Sequence, residues 1–217
     1  MLFRSAIYWQ LNDCYPVASW SSIDYYHRLK TLYYHSKQFF APVLLSIEET
    51  NSLAKIFVTN DTLKEIKGEL ILQWMDFQGH VSFEENDAVI IPALSAKLVV
   101  EHSFQLTKQE KMSHVLVAFL SLENGEVVSN QVSFAPDKHL KLQKPHITPV
   151  ISGNSLTLTS NTFAKYVEIS HPTLDVVCSE NYFHLYPNRA KTIHIQAQNG
   201  GVIPREELQI RSLVDTY

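Results

Sequence analysis

Within the stretch YWQLNDCYPVASW lie Trp9, Gln10, Asn12, Asp13 and Trp20, a mixture of flat apolar rings, amides and a carboxylate. Indole rings stack on the apolar face of a sugar, and amide and carboxylate groups hydrogen-bond its hydroxyls, so this combination suits a carbohydrate subsite. On residue types alone a second reading stands beside it, in which Trp9 and Trp20 belong to a core and Asp13 caps a turn. Two of the three tryptophans of the chain fall here.

The rest of the sequence offers little competing chemistry. Glycosidic cleavage needs two carboxyl groups roughly 5 to 10 Å apart across a sugar. Glu48-Glu49, Glu84-Glu85 and Glu206-Glu207 are sequence neighbours, and neighbours on a strand point to opposite faces. The six glycines build neither a dinucleotide fingerprint nor a phosphate-binding loop. None of the ten histidines sits in a His-Glu-x-x-His pattern, and the pairs His27/His35 and His139/His146 lack companions, so no metal or other cofactor is expected. No serine stands in Gly-x-Ser-x-Gly. Cys14 and Cys178 are far apart and read as free thiols. Asn60-Asp61-Thr62 matches the N-glycosylation pattern, a short match that arises by chance.

The elements that must position the opening cluster can be read from periodicity. Ala6 to Leu11 is a short apolar run of the buried-strand type, which puts Asn12 and Asp13 at a strand end, where barrel enzymes keep their active sites. After a loop over Asn12 to Trp20, Ser21 and Asp24 form a pair like a capping box ahead of a helical pattern. Its face runs through Tyr25, Tyr26, Leu29, Leu32, Tyr33, Ser36, Phe39 and Phe40, and Pro42 stops it. Docking of this helix on the following domain through Tyr33, Phe39 and Phe40 is expected, since an unpartnered apolar face is unfavourable in water.

From Val43 the period becomes two. Strands are predicted at Val43 to Glu49, Ala54 to Asn60, Lys64 to Phe77, Val81 to Ile91, Ala96 to Phe104, His114 to Leu122 and Val127 to Phe134. His114 to Leu122 is apolar on both faces and reads as a central strand, and Asn124-Gly125 after it marks a hairpin. Seven short strands point to an antiparallel sandwich. Leu142 to Pro149 reads as a short, stiff connector. Beyond it, Thr148 to Ser152, Ser155 to Ser160, Ala164 to Ser170, Leu174 to Ser179, Thr192 to Gln198 and Leu208 to Leu213 make a smaller second sandwich.

Composition agrees with this architecture. With 45% hydrophobic and 18% charged residues over 217 positions, the chain can bury a real core and divides naturally into two small domains. A net charge of −4 with scattered cations gives no basic stripe for a phosphate backbone, so nucleic acid is not an expected partner. No apolar run reaches the ~20 residues of a membrane span, so no membrane insertion is expected, and no targeting segment is read at the N-terminus.

Taken together, Tyr8-Trp9-Gln10-Leu11-Asn12-Asp13, Pro16, Ser19-Trp20-Ser21-Ser22, Asp24-Tyr25 and Phe39-Phe40-Ala41-Pro42 closely resemble the end of the catalytic barrel in β-mannosidases of glycoside hydrolase family 2. Asn181-Tyr182-Phe183, Leu185 and Pro187 resemble the signature of the last sandwich domain of those enzymes. The resemblance implies a mainly β chain of two immunoglobulin-like sandwiches, residues 43–143 and 144–217, preceded by the last strand and helix of an (α/β)8 barrel in residues 1–42. It implies a C-terminal part of a retaining exo-β-mannosidase, with an upstream barrel domain and a terminal β-mannoside as partners. Trp9 would then be the floor of the sugar subsite, and Asn12 and Asp13 its polar wall. Both catalytic glutamates of the family precede the strand that holds Trp9, so no catalytic residue is assigned in this chain and inactivity alone is expected. Tyr15 stands where many relatives have Trp, and His27 where many have Gly. The competing readings are a free-standing immunoglobulin-like module that binds carbohydrate or protein, and a family 2 exo-β-glucosaminidase or β-galactosidase fragment.

Overall fold

The computed structural model describes residues 7–50, 52–201 and 203–217, so the first residue of the strand predicted at Ala6 to Leu11 lies outside the described residues. Helix α1 (Thr31–Phe39) leads into β1 (Val43–Thr50), β2 (Leu53–Asn60), β3 (Ile66–Asp76), β4 (Val81–Ile91) and β5 (Ser95–Ser103). A short helix α2 (Lys108–Ser113) is followed by β6 (His114–Leu122) and β7 (Val127–Val132). The chain then runs through a 3-10 turn at Asp137–His139 to β8 (Ile147–Ser152), β9 (Ser155–Ser160), β10 (Ala164–Ser170), β11 (Val176–Cys178), β12 (Phe183–Leu185), β13 (Lys191–Ala197) and β14 (Gln209–Arg211).

Two pairs of sheets result. In the first sandwich the sheet β1-β2-β5 shares a core with β4-β3-β6-β7. Strand β2 shows why: Ala54, Ile56 and Val58 are buried while their neighbours are half-buried, the alternation of a pleat with one inward face. Strand β6 is an inner strand buried on both faces, as its sequence predicts. Leu116, Ala118 and Leu120 enter the first core, whereas Val115, Val117 and Phe119 face a cluster with Phe77, Phe163 and Tyr186. The Asn124-Gly125 turn closes the β6–β7 hairpin, with Gly125 at φ 85°.

That cluster joins the two sandwiches. Phe77 and Phe163 stack at 5.7 Å, Phe163 stacks on Tyr186 at 5.6 Å, and the Arg189 guanidinium lies 3.8 Å from the centre of the Phe119 ring. Buried Leu140, from the stretch that links the sandwiches, joins them. The second sandwich pairs the sheets β12-β10-β14 and β11-β13-β9-β8 around Leu156, Leu158, Val167, Ile169, Leu185, Ile193 and Ile195.

Helix α1 docks on this second sandwich, which corrects the expectation that it packs on the first. Tyr34 is 3% exposed and belongs to the second core. Its hydroxyl accepts a hydrogen bond from the Cys178 amide at 3.4 Å, and its ring lies 5.9 Å from that of Tyr182. Burying such a ring is worth about 2 kcal/mol, more than the exposed Lys37 Nζ bond to the Ser179 carbonyl can add. Phe39 and Phe40 remain substantially exposed and meet Tyr8, at 6.4 and 6.2 Å. Of the expected contacts Tyr33, Phe39 and Phe40, Tyr33 packs half-buried against the second core, and it is neighbouring Tyr34 that enters it.

The helix is also shorter than its periodicity suggests. Ser21 and Asp24 do not cap it: Lys30 is the N-cap residue, and Asp24 instead draws the Tyr26 and Arg28 amides onto its own carboxylate. Such local side-chain bonding competes with helix formation. Among the described residues, capping boxes form at Thr107/Glu110 on α2 and at Ser212/Asp215 near the C-terminus. Pro149, read as part of the connector, lies inside β8; that strand is an edge, where a residue without an N–H is tolerated. Asn60 is fully buried, its amide donating to Lys64, Ile91 and Pro92 carbonyls, so it is a turn anchor and not a glycan acceptor in the folded protein.

Candidate functional site

The segment from Ile7 to Lys30 is pinned by its own backbone and by polar side chains. Among the described residues the predicted strand before Asn12 forms no regular ladder. In its place an isolated parallel bridge joins Asn12 to Ile23, supported by Ser22 N–H to the Gln10 carbonyl, Ile23 N–H to Leu11 and Asp13 N–H to Ile23, all at 2.9 to 3.0 Å. A parallel strand needs a neighbour brought by a crossover, and residues 22–23 supply only a fragment of one. His27, where many relatives of the resembled family have Gly, adopts φ 64°, a left-handed backbone that glycine takes without strain.

Trp9 and Trp20 are 73% and 70% exposed, and Asn12 is exposed as well. Neither indole belongs to a core among the described residues. Tyr15 and Val17 are also exposed on the intervening loop.

Asp13 behaves differently from its neighbours. Only 6% exposed, it turns its carboxylate into the segment, where Ser19 Oγ donates at 2.7 and 2.8 Å, Ser21 Oγ at 2.6 Å and Gln10 Nε2 at 3.2 Å. Lys30 Nζ lies 3.9 Å away and itself donates to the Ser19 carbonyl at 2.7 Å and to Ser21 Oγ at 3.0 Å. The Ser19 and Ser21 bonds hold the Asp13 carboxyl below the usual carboxylate range, and the Lys30 charge adds to this against the cost of burial. Of the three residues expected to meet a sugar, Trp9 and Asn12 thus lie open to solvent, whereas Asp13 is buried. Nothing in the sequence marks Ser19, Ser21 and Lys30 as functional, because serines are abundant and Lys30 sits among ordinary helix residues.

Elsewhere the candidate acids do not converge. Glu84 is held by Gln73 Nε2 at 2.6 Å, while adjacent Glu85 reaches His102 at 3.6 Å on the other face of β4. Among the described residues no group of three or more His, Cys, Asp or Glu side chains could hold a metal ion. No helix among them is long and apolar enough to cross a membrane. Cys14 is exposed, whereas Cys178 is buried beneath α1 and burial pushes its thiol up to about 12.

This architecture of tandem sandwiches matches two domain families. Residues 52–139 match the Mannosidase Ig/CBM-like domain, and residues 141–216 match an Ig-fold domain. The chain is 26% identical to β-mannosidase A of Aspergillus terreus over 97% of its own length and 25% of that protein's. It is 27% identical to β-mannosidase B of Thermothelomyces thermophilus over 64% of its length. The crystal structure of β-D-mannosidase from Dictyoglomus thermophilum superposes with a TM-score of 0.83 at 28% identity, over 94% of this chain and 26% of that one. An exo-chitosanase from Amycolatopsis orientalis, at 16% identity and a TM-score of 0.65, shares the fold. The chain is thus a relative of the β-mannosidases of glycoside hydrolase family 2 and resembles their C-terminal portion. It spans about a quarter of the length of the curated relatives it matches.

Proposed function

We propose that this chain is the C-terminal part of a retaining exo-β-mannosidase, an enzyme that removes terminal β-linked mannose. In this reading residues 1–42 are the terminal strand, loop and helix of an (α/β)8 barrel, and residues 43–143 and 144–217 are accessory immunoglobulin-like domains. Trp9 is the platform on which the mannose ring stacks, and Asn12 is a hydrogen-bonding partner for its hydroxyls. The observation that carries the reading is the exposure of Trp9 and Asn12 on a backbone fixed by hydrogen bonds, in a chain whose relatives are β-mannosidases. Exposed Ile7, Leu11 and Val17 on the same segment fit a surface that an upstream barrel covers.

Hydrolysis with retention requires a nucleophile and an acid/base carboxyl about 5 to 5.5 Å apart. In the resembled family both lie upstream of the strand that holds Trp9, so the 217-residue chain by itself does not turn over glycosides. The test has two arms: reading the coding frame upstream of Met1, and assaying the extended product and the 217-residue chain on p-nitrophenyl β-mannoside, β-galactoside and β-glucosaminide. Mannoside turnover by the extended product alone is expected. Turnover by the 217-residue chain, preference for another glycoside, or an upstream frame without a barrel would each overturn the reading.

A further inference from the structure

Within the 217-residue chain Trp9 and Trp20 are mostly exposed, so the chain itself supplies little of the packing that fixes a buried ring. Their orientation must come from the backbone on either side. Trp9 precedes Gln10, whose side chain donates to Asp13, and Trp20 is flanked by Ser19 and Ser21, both of which donate to Asp13. One buried carboxylate therefore gathers the residues adjoining both rings. Behind it, Lys30 binds the Ser19 carbonyl and Ser21 Oγ and is also the N-cap residue of α1, which is fastened to the second sandwich through Tyr34. The connection is continuous from the sandwich core to the two indoles.

We propose that Asp13 and Lys30 are positioning residues, and that through Ser19 and Ser21 they transmit the rigidity of the C-terminal sandwich to the Trp9 and Trp20 platform without touching a sugar themselves. The proposal rests on the reading of Trp9 as a sugar platform only for its significance in binding; the ordering of the rings is a separate physical statement. It also gives the second sandwich a role at the subsite, because α1 is the element that carries both Lys30 and the Tyr34 anchor.

The test is 19F NMR of the 217-residue chain labelled with 5-fluorotryptophan, which gives one line each for Trp9, Trp20 and Trp74. In Asp13→Ala and in Lys30→Met the Trp9 and Trp20 lines are expected to sharpen severalfold as the rings gain fast motion, while the line of buried Trp74 keeps its width. In the unsubstituted chain the two exposed rings should stay ordered below the ordinary carboxylate range near pH 4 and loosen once Asp13 is protonated. Asp13→Asn, already neutral, should show no such transition. Lys30 is the charged side chain that faces the carboxylate. Unchanged Trp9 and Trp20 widths in both variants, or a Trp74 line that moves in step with them, would overturn the proposal. Where Asp13→Ala fails to fold, Ser19→Ala, which keeps the charge, decides by the same widths. Adding methyl β-mannoside to the extended, barrel-containing product labelled in the same way separates the two readings: a Trp9 line that never shifts there defeats the sugar assignment and leaves the positioning result standing.

Discussion

Leu116 and Leu120 on β6 expose no surface and sit in an apolar core, while Trp9 and Trp20 are 73% and 70% exposed on a segment tied together by hydrogen bonds to one carboxylate. The sandwich interior is held by non-directional burial spread over many side chains. The opening segment is held by a few directional polar contacts that fix geometry while leaving apolar rings available. The first arrangement tolerates changes of detail and stores stability; the second stores little stability and specifies where two side chains stand.

Substitution at the junction between the sandwiches should produce the largest loss. Phe163→Ala removes a ring that is 1% exposed and stacked on both Phe77 and Tyr186, and should cost about 3 to 5 kcal/mol in urea unfolding. A loss under about 1 kcal/mol would show that the two sandwiches do not depend on each other.

Acid should sharpen the contrast next. Both ring nitrogens of half-buried His184 are engaged, one accepting from the Tyr166 amide at 3.3 Å and the other meeting the Gln131 side chain at 3.2 Å, and burial pushes the imidazole down to about 3. The unfolded chain takes up a proton at its ordinary value of 6.5, and the folded chain does not until about 3. Stability therefore falls as pH drops below 6.5, by up to about 1.4 kcal/mol per pH unit from this group. Urea titrations at pH 7.5, 6 and 5 should show that slope, and His184→Gln should flatten it. Equal slopes in the two proteins would remove His184 as the cause.

The smallest effect is expected at the indoles themselves. Trp9→Ala and Trp20→Ala should each change stability by less than about 0.5 kcal/mol, although tryptophan is the largest side chain, because most of each ring is already in water. A loss of 2 kcal/mol or more at either position would mean that it is a structural ring and would erase the contrast.

The sandwiches were legible because burial on one face of a pleat writes itself into alternate residues. Alternation alone gives Val81 to Ile91 and His114 to Leu122 their observed bounds, and the two-sided apolar pattern of the latter matches its two cores. Where a few polar contacts decide, the pattern misleads. Tyr25 to Phe40 keeps a helical period throughout, yet Asp24 captures two amides and His27 turns left-handed, so the helix waits until Thr31. The short strand β12 has too few residues to display a period; it is fixed by buried Asn181, whose side chain brackets the Ile169 amide and carbonyl. Trp9 and Asn12 could be picked out by residue type, whereas the inward turn of Asp13 depends on Ser19, Ser21 and Lys30 arriving together, which no spacing rule announces.

The burial of Cys178 beneath α1 has a practical chemical consequence. A thiol with almost no thiolate at neutral pH is inert to alkylation, so a maleimide dye should enter the native protein at Cys14 alone. That places a single reporter fluorophore next to Asp13 without engineering any residue, and full derivatisation of both sulfurs becomes a direct gauge of whether the helix has lifted from its seat.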